Sequence, residues 1–367
     1  MLLRGWFRIL FLYDVAEAFD LAKIQELIGT RGAPLRHVLP RRSPQYMHFA
    51  NPPIEEVGDP VTLPSGEELA CSIKYHAYAV AVVQLDVPFS CDWDELIAQA
   101  SRWMDSSEVE PLARATLHRH LERVTPAVVK PNADWLEESY LIIGVQTAQH
   151  TAQQASGTAC SGAELLATHG NEIARLVRGE SAALSPKATE EALQGSLSYY
   201  PSDLVVIGAS GALVVDDSED ATATGQVLEF AKMQLLEFRY YDRLMTQLLS
   251  DVYDMLERKR NVLLARWSLP REAHSVNAIR LDVMELTERI DNSIKFVSDI
   301  YYARVYRLAS TRIGLPDYRN LVDEKLRAVG EMYDFMMDQF NDARSFVIEL
   351  GIAILALLDV VLLLRGR

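Results

Sequence analysis

The C-terminal part of the chain has the apolar periodicity of long helices. Residues 225–267 contain no proline, and residues 275–313 form a second uninterrupted segment, so we predict a long helix in each. Gly314 and Pro316 end the second helix in the usual order of C-cap glycine and following proline. A third helix is predicted to begin near Asp317 and to continue into an apolar terminus.

Apolar residues recur along the third helix at steps of four and three, the spacing of a and d positions in a coiled coil. The soluble part of this pattern, named here the heptad stripe, consists of Val322, Leu326, Val329, Tyr333, Met336 and Phe340. The preceding helix carries its own stripe, and the short Gly-Leu-Pro turn between them predicts an antiparallel coiled-coil hairpin. Because the heptad stripe is too long for one partner helix, we expect homo-oligomerisation through it; a stripe filled within one chain is the alternative.

The last apolar segment, residues 346–364, reads FVIELGIAILALLDVVLLL. Nineteen residues span about 28 Å as a helix, close to the thickness of a hydrocarbon core. Its Phe, Val, Ile and Leu residues favour insertion by roughly 4–8 kcal/mol. The two acids, Glu349 and Asp359, each oppose it by at most about 2.5–3.5 kcal/mol, and neither is central. We therefore predict one C-terminal transmembrane helix over 345–364, with a buried core helix as the alternative.

The N-terminus has a superficial likeness to a secretory signal. Its apolar run, residues 9–13, is shorter than the 7–15 residues that such signals need, so we interpret it as a strand leading into a helix over 22–28. Without a signal, the bulk of the chain is expected in the cytoplasm. The prediction is a single-pass, tail-anchored protein of the cell inner (cytoplasmic) membrane. The basic residues that flank the span give little information on its orientation.

The first part of the chain mixes strands and helices without regular alternation. Residues 30–68 are rich in proline and are expected to be loop, whereas apolar runs near 71–88 and over 138–146 predict strands. Helices are predicted over 92–103, 110–123, 163–178 and 189–194, and a strand hairpin around Gly208 and Gly211. We therefore predict an α+β domain over 1–222, long helices forming the coiled-coil hairpin over 223–344, and the transmembrane helix.

Charge and cysteine content exclude several classes of protein. The formal net charge is −15, from 51 acidic and 36 basic residues, which argues against a general grip on nucleic acid. Three widely separated cysteines exclude a disulfide framework and a thiolate zinc site. One acid-free loop is basic, with Arg31, Arg36, Arg41 and Arg42. This loop is a candidate anion or lipid-headgroup patch, and a solvated loop is the alternative reading.

Motifs for chemistry are incomplete. Residues 208–212 nearly spell a nucleophile elbow, but the last glycine is replaced by Ala212 and a second strand follows. His118 and His120, two residues apart, lie on different faces of a predicted helix, which disfavours metal binding. The acids at 216–220 lack the glycine and spacing of a calcium loop. We predict no catalytic residues, no metal, no cofactor and no enzymatic activity.

Four elements taken in order resemble a known family. They are LYDVAEAFDLAKIQELI near the start, an apolar strand pair around Tyr75–Val83, VLEFAKMQLLEFRYYDRL in the first long helix, and the two C-terminal helices that end in the span. This order is similar to the required-for-meiotic-nuclear-division family, a domain of unknown function with bacterial and mitochondrial members. The resemblance implies a C-terminally anchored, oligomeric membrane protein without established catalysis, and mitochondrial relatives are linked to translation and ribosome tethering.

Two functional hypotheses follow. In the first, the protein is a membrane-tethered oligomeric scaffold that presents its cytosolic domain to an unidentified cytosolic protein, with a translation-related or ribosome-associated role implied by the resemblance. In the second, oligomerised spans form an ion or proton pathway lined by Glu349 and Asp359. A hydrolase without a recognisable motif is a third, weaker reading.

Overall fold

The computed structural model describes residues 2–29, 32–34, 52–77, 80–105, 107–146, 161–216, 218–259 and 300–365, with short pieces at 273–274, 276–278, 280–281 and 283–284. The chain divides into two compact units. Unit 1 comprises Met1–Phe238 and Asn292–Pro316, and unit 2 comprises Arg239–Asp291 and Asp317–Arg367.

Unit 1 is built on a ten-stranded mixed sheet. The strands are β1 Leu3–Phe19, β2 Gly32–Pro34, β3 Ile54–Val57, β4 Val61–Thr62, β5 Glu68–Tyr75, β6 Val80–Cys91, β7 Val128–Gln146, β8 Ser196–Leu197, β9 Leu204–Ile207 and β10 Gly211–Asp216. Their order is β2-β3-β5-β6-β1-β7-β10-β9-β8, and β4 pairs with β5 beside this path. The β7–β10 pair is parallel, and the other described pairs are antiparallel.

Eight α-helices have described bounds, and the short described pieces between residues 273 and 284 are also helical. The eight are α1 Leu21–Ile28, α2 Trp93–Met104, α3 Glu110–Val124, α4 Gly162–Arg178, α5 Pro186–Leu193, α6 Ser218–Lys259, α7 Ile300–Arg312 and α8 Leu315–Arg365. Several begin at a side-chain cap: Asp20 accepts from the backbone of α1, Asp92 from that of α2, and Ser161 forms a capping box with Glu164 in α4. Gly314, with φ 79°, follows the end of α7 as the sequence predicts.

The central strand β1 is buried on both faces. Side chains at alternate positions, such as Phe7, Ile9 and Phe11, join a core with α1–α5. Leu10 and Leu12, at intervening positions, are also fully buried. They lie on the same face of the sheet as Lys74 of β5 and Glu138 of β7. These two side chains bond to α6, so α6 covers this second face. Because both faces are covered here, residues 9–13 of the strand form a continuous apolar run rather than an alternating pattern.

The pairing register of β1 with β7 shifts between Asp14, which pairs with Leu136, and Ala16, which pairs with Pro131. The chain approaches this shift through Lys130, whose φ is 48°. Asn132 Nδ2 donates to the backbone oxygen of Asp14 at 3.3 Å. Asp14 itself is 2% exposed, and burial raises the pKa of its carboxyl to about 7. A carboxyl in this position is therefore partly protonated near neutral pH.

The fold class predicted from the sequence is confirmed: an N-terminal mixed-sheet domain precedes long C-terminal helices with one candidate apolar span. One local prediction is wrong, because β2, β3 and β4 lie within the segment expected to be loop. Pro34 ends β2, and Pro53 and Pro60 directly precede β3 and β4, positions where a missing N–H is tolerated. The predicted hairpin between α7 and α8 stays a prediction, and part of its first helix lies outside the described residues.

Candidate functional site

The apolar end of α8 is exposed on all sides. From Phe346 to Leu364, the large apolar side chains that the structure describes are between 43% and 76% exposed. Among the described residues, this is the one helix long and apolar enough to cross a membrane; its most apolar window has a mean hydropathy of 2.4 and is 0% buried. A core helix of a soluble bundle would be mostly buried. The segment therefore lacks the packing that the alternative reading requires.

The two acids of the span lie on one side of α8. Glu349 and Asp359 are both exposed and ten residues apart, which corresponds to about 15 Å along the axis and about 80° around it. An α-helix turns by about 100° with each residue. The side chains of Glu349 and Asp359 therefore point more than about 100° away from that of Val329 in the heptad stripe. An assembly that packs through the stripe direction would leave these acids on its outside.

Most of the heptad stripe is buried within one chain. Val322, Val329 and Met336 are 0–1% exposed and Leu326 is 9% exposed, whereas Tyr333 and Phe340 are half-buried. Unit 2 supplies further contacts along this part of α8: Lys325 Nζ donates to Thr246 Oγ1 of α6 at 2.6 Å and forms an ion pair with Asp242. Among the large apolar side chains described in this part of α8, Phe335 is 48% exposed and Leu321 is 38% exposed.

The basic loop and the glycine turn are the other features singled out from the sequence. Arg31, Arg36, Arg41 and Arg42 lie outside the described residues. Residues 208–211 form the turn of the β9–β10 hairpin, closed by a bond from the Gly208 N–H to the Gly211 oxygen at 2.8 Å. In the described part of the chain, no group of three or more His, Cys, Asp or Glu residues could hold a metal ion.

The two histidines of α3 have separate surroundings. His120 is 9% exposed, and its Nδ1 lies 3.0 Å from Glu56 Oε2, while Arg123 donates to the other oxygen of Glu56 at 2.8 Å. Burial would raise the pKa of Glu56, but the bonds and charges of His120 and Arg123 outweigh it and lower that pKa. His120 thus helps to hold β3 against α3, which is a structural task.

His118 instead lines a cleft of 510 Å³ between α3 and the start of β7. The His118 ring stacks on Trp135 with 4.1 Å between the ring centroids. The guanidinium of Arg114 lies 5.8 Å from the centre of the Trp135 ring. Arg114 is held by Glu137 at 2.7 Å. The other lining residues are Val15, Leu121, Glu122, Thr125, Val128, Pro131, Asn132, Ala133 and Asp134. The cleft is large enough for a small ligand, but its mixed charges specify no chemical class.

A buried charge network lies between the sheet and α6. Glu229 of α6 pairs with Lys74 of β5 at 2.5 Å and lies 3.2 Å from His76 Nε2, and all three side chains are at most 7% exposed. Burial would raise the pKa of Glu229, but the charge of Lys74 and the bond from His76 lower it to about 2. One turn further along α6, Lys232 pairs with Glu138 of β7 at 2.7 Å, and burial lowers the pKa of Lys232 to about 8. These pairs fix α6 on the sheet.

Residues 4–222 match the family model described as "Uncharacterized protein MJ0711, N-terminal domain". The chain belongs to this family. It is similar to "Uncharacterized protein MJ0711" of Methanocaldococcus jannaschii, with 20% identity over 192 residues, which is 52% of this chain and 58% of the relative. The chain thus matches less than two thirds of that relative's length. No solved structure matches the chain.

The MJ0711 N-terminal domain match covers the ten strands except for Leu3 of β1, and it ends shortly after α6 begins. Glu229 and Lys232 therefore lie beyond the matched region, although their partners Lys74, His76 and Glu138 lie within it. The part of α6 that extends beyond the matched residues covers the second face of the sheet. Sequence reasoning missed this network. The available signal was a lysine inside the apolar strand β5, together with Glu229 and Lys232 three residues apart in an otherwise apolar stretch of helix.

Proposed function

We propose that the protein is a non-enzymatic, membrane-tethered scaffold or adaptor of the cell inner membrane. In this proposal α8 is a single-pass C-terminal anchor, and unit 1 is presented in the cytoplasm to a protein partner. One observation supports it above the others: the apolar end of α8 is exposed throughout. Each exposed Leu, Ile, Val or Phe forgoes roughly 1.5–3 kcal/mol relative to burial, and lipid is an environment that recovers this free energy.

The polar residues of the anchor fit a helix that crosses a bilayer. Glu349 lies about one turn inside the apolar segment, so its carboxylate reaches the headgroup region. Asp359 lies roughly 8 Å from the other end, where an acid is less costly than at the midplane. Arg344 and Arg365 flank the segment and suit the two headgroup layers.

We further propose that the scaffold is a homo-oligomer. Tyr333, Phe335 and Phe340 leave apolar surface on α8 just before the anchor. Anchoring in a common membrane raises the effective concentration of neighbouring copies, which favours their association. By resemblance to the required-for-meiotic-nuclear-division family, the partner would be a translation-related, ribosome-associated protein.

Extraction from membranes tests the anchor. The intact protein is expected to stay in the pellet through an alkaline carbonate wash, and the variant that ends at Arg344 is expected in the supernatant. A variant that lacks only Gly366 and Arg367 is the matched control and should stay in the pellet. Intact protein in the soluble fraction would overturn the proposal.

The second candidate is an oligomeric ion or proton pathway. It is favoured by the placement of Glu349 and Asp359 on the same side of α8, and it requires an assembly that packs through this side rather than through the heptad stripe. Glu349→Gln with Asp359→Asn would abolish conduction in proteoliposomes if the acids line a pathway. If the protein is a scaffold, the double variant keeps its partner binding. In that case the wild-type protein does not conduct ions either.

A further inference from the structure

One face of α7 is basic in an otherwise acidic protein. Ile300, Arg304, Arg307 and Thr311 follow one another at steps of four, three and four residues, so they share one side of the helix, and all four are exposed. From Ile300 to Pro316 the sequence contains no Asp or Glu. Within the described residues, neither Arg304 nor Arg307 forms a salt bridge.

Two exposed tyrosines lie beside this helix on a rigid turn. Tyr199 is 57% exposed and Tyr200 is 61% exposed, and their rings meet edge to face at 4.8 Å. The buried carboxylate of Asp203 accepts from the backbone N–H of Tyr199 at 2.8 Å and from that of Tyr200 at 3.1 Å. The Pro201 oxygen accepts from the N–H of Gly162 at 2.8 Å. Because the turn is already fixed, a ligand would not have to order it.

The tyrosines and the basic face form one surface within unit 1. The ring of Tyr199 lies 5.6 Å from that of Tyr301 on α7, and Tyr301 precedes Arg304 by one helical turn. The surface is next to β8, the strand at one end of the sheet. We name Tyr199, Tyr200, Ile300, Arg304 and Arg307 the tyrosine–arginine patch.

We propose that the tyrosine–arginine patch is a docking surface for an acidic segment of a partner protein that carries at least one large apolar side chain. This inference rests on the proposed scaffold function and names where the partner binds. Tyrosine and arginine are the residues that most often dominate binding energy at protein interfaces. The two guanidinium groups suit carboxylates, and Ile300, 76% exposed, offers apolar contact beside them.

The number of cations argues against phosphate-rich ligands. A protein that grips nucleic acid typically neutralises about 6–10 phosphates. Clusters that bind anionic lipids carry about 4–8 basic residues. The basic residues of α7 are Arg304, Arg307 and the half-buried Arg312, a smaller set than either requires. An acidic peptide needs only a few such partners, and it also uses the aromatic and aliphatic surface.

Selection of peptides on the intact protein tests the proposal. A random 12-residue phage library is panned on full-length protein in lipid nanodiscs, with Arg304→Glu/Arg307→Glu in parallel. The matched control is Lys23→Glu/Lys187→Glu, which changes the net charge equally at two exposed lysines outside the patch. Wild type and control should enrich the same acidic sequences with Leu, Ile or Phe, and the patch variant should not.

The most enriched peptide is then synthesised and its affinity measured by fluorescence anisotropy. Arg304→Glu/Arg307→Glu and Tyr199→Ala/Tyr200→Ala should each weaken binding at least tenfold, and Tyr199→Phe/Tyr200→Phe should retain it. Circular dichroism of each variant should match wild type. No acidic enrichment, equal binding by the patch variant, or preferential binding of a labelled 20-nucleotide oligouridine or of phosphatidylserine vesicles would overturn the proposal. The carbonate wash reports separately on the anchor, so either result can fail without the other.

Discussion

The strongest energetic prediction concerns Glu229, the acid that α6 inserts between Lys74 and His76. Glu229→Gln keeps the shape of the side chain and removes its charge. Lys74, whose side chain is 4% exposed, is then left as a buried cation without its carboxylate. Removing one partner of a buried pair typically destabilises a protein by about 3–5 kcal/mol, because the remaining charge stays desolvated.

The pH dependence of stability gives a second measure of the same interaction. The pKa of Glu229 is lowered from 4.5 to about 2 in the folded protein. An acid with a lowered pKa contributes its stabilisation above its unfolded pKa and loses it as the pH falls. Between pH 4.5 and 2, the wild-type protein should therefore lose roughly 3 kcal/mol through this group. The Glu229→Gln variant should lack this loss.

Chemical unfolding followed by tryptophan fluorescence is the assay. Four of the five tryptophans, Trp6, Trp93, Trp103 and Trp135, belong to unit 1, so the signal reports mainly on that unit. Glu67→Gln is the control, because its pair with Arg102 is 36–42% exposed and such pairs contribute at most about 1 kcal/mol.

The double variant Lys74→Met/Glu229→Leu removes both charges and should recover most of the lost stability. A destabilisation below about 1 kcal/mol for Glu229→Gln, or a double variant less stable than the single one, would refute the reasoning.

Three further predictions follow from burial. Burial raises the pKa of Asp14 to about 7, so the ionisation of this carboxyl opposes folding as the pH rises above about 4. Asp14→Asn should therefore stabilise unit 1 by up to about 4 kcal/mol at pH 8 and by little at pH 4, as measured by thermal unfolding. Val329→Asp with Met336→Asp places charges at two sites that are 0–1% exposed, so it should lower the helical signal in circular dichroism while the tryptophan fluorescence stays native. A change in oligomer size without loss of helix would instead place these residues between copies. Gly5→Ala puts a Cβ 1.8 Å from the Gly144 oxygen and should destabilise unit 1 by about 1–3 kcal/mol in denaturant titration, and an unchanged midpoint would contradict this close approach.

Periodicity predicted the long helices and the apolar end of α8 because both are local patterns. The steps of four and three from Val322 to Phe340 hold one register within a single helix, and residues 346–364 form one apolar segment. The helices of unit 1 were predicted within a few residues because their caps, such as Asp92 and Ser161, are also local signals.

The sheet was harder to predict because its strands depend on distant partners. β1 is 17 residues long, but its polar residues Asp14 and Glu17 conceal its second half. The short strand β3 is defined by its pairing with β5 rather than by its own composition. The buried pairs of Glu229 and Lys232 required knowledge of which face α6 covers, and the tyrosine–arginine patch joins residues 100 positions apart.

The central place of β1 has a consequence for the synthesis of the protein. Leu10 pairs with Gln84 on one side and with Tyr140 on the other. At about 5–20 residues per second, the ribosome needs roughly 6–26 s to add the 130 residues between Leu10 and Tyr140. During that interval a long apolar strand has an unpaired edge, the state in which chains aggregate. Nascent chains of this protein should therefore depend on chaperones until β7 has emerged.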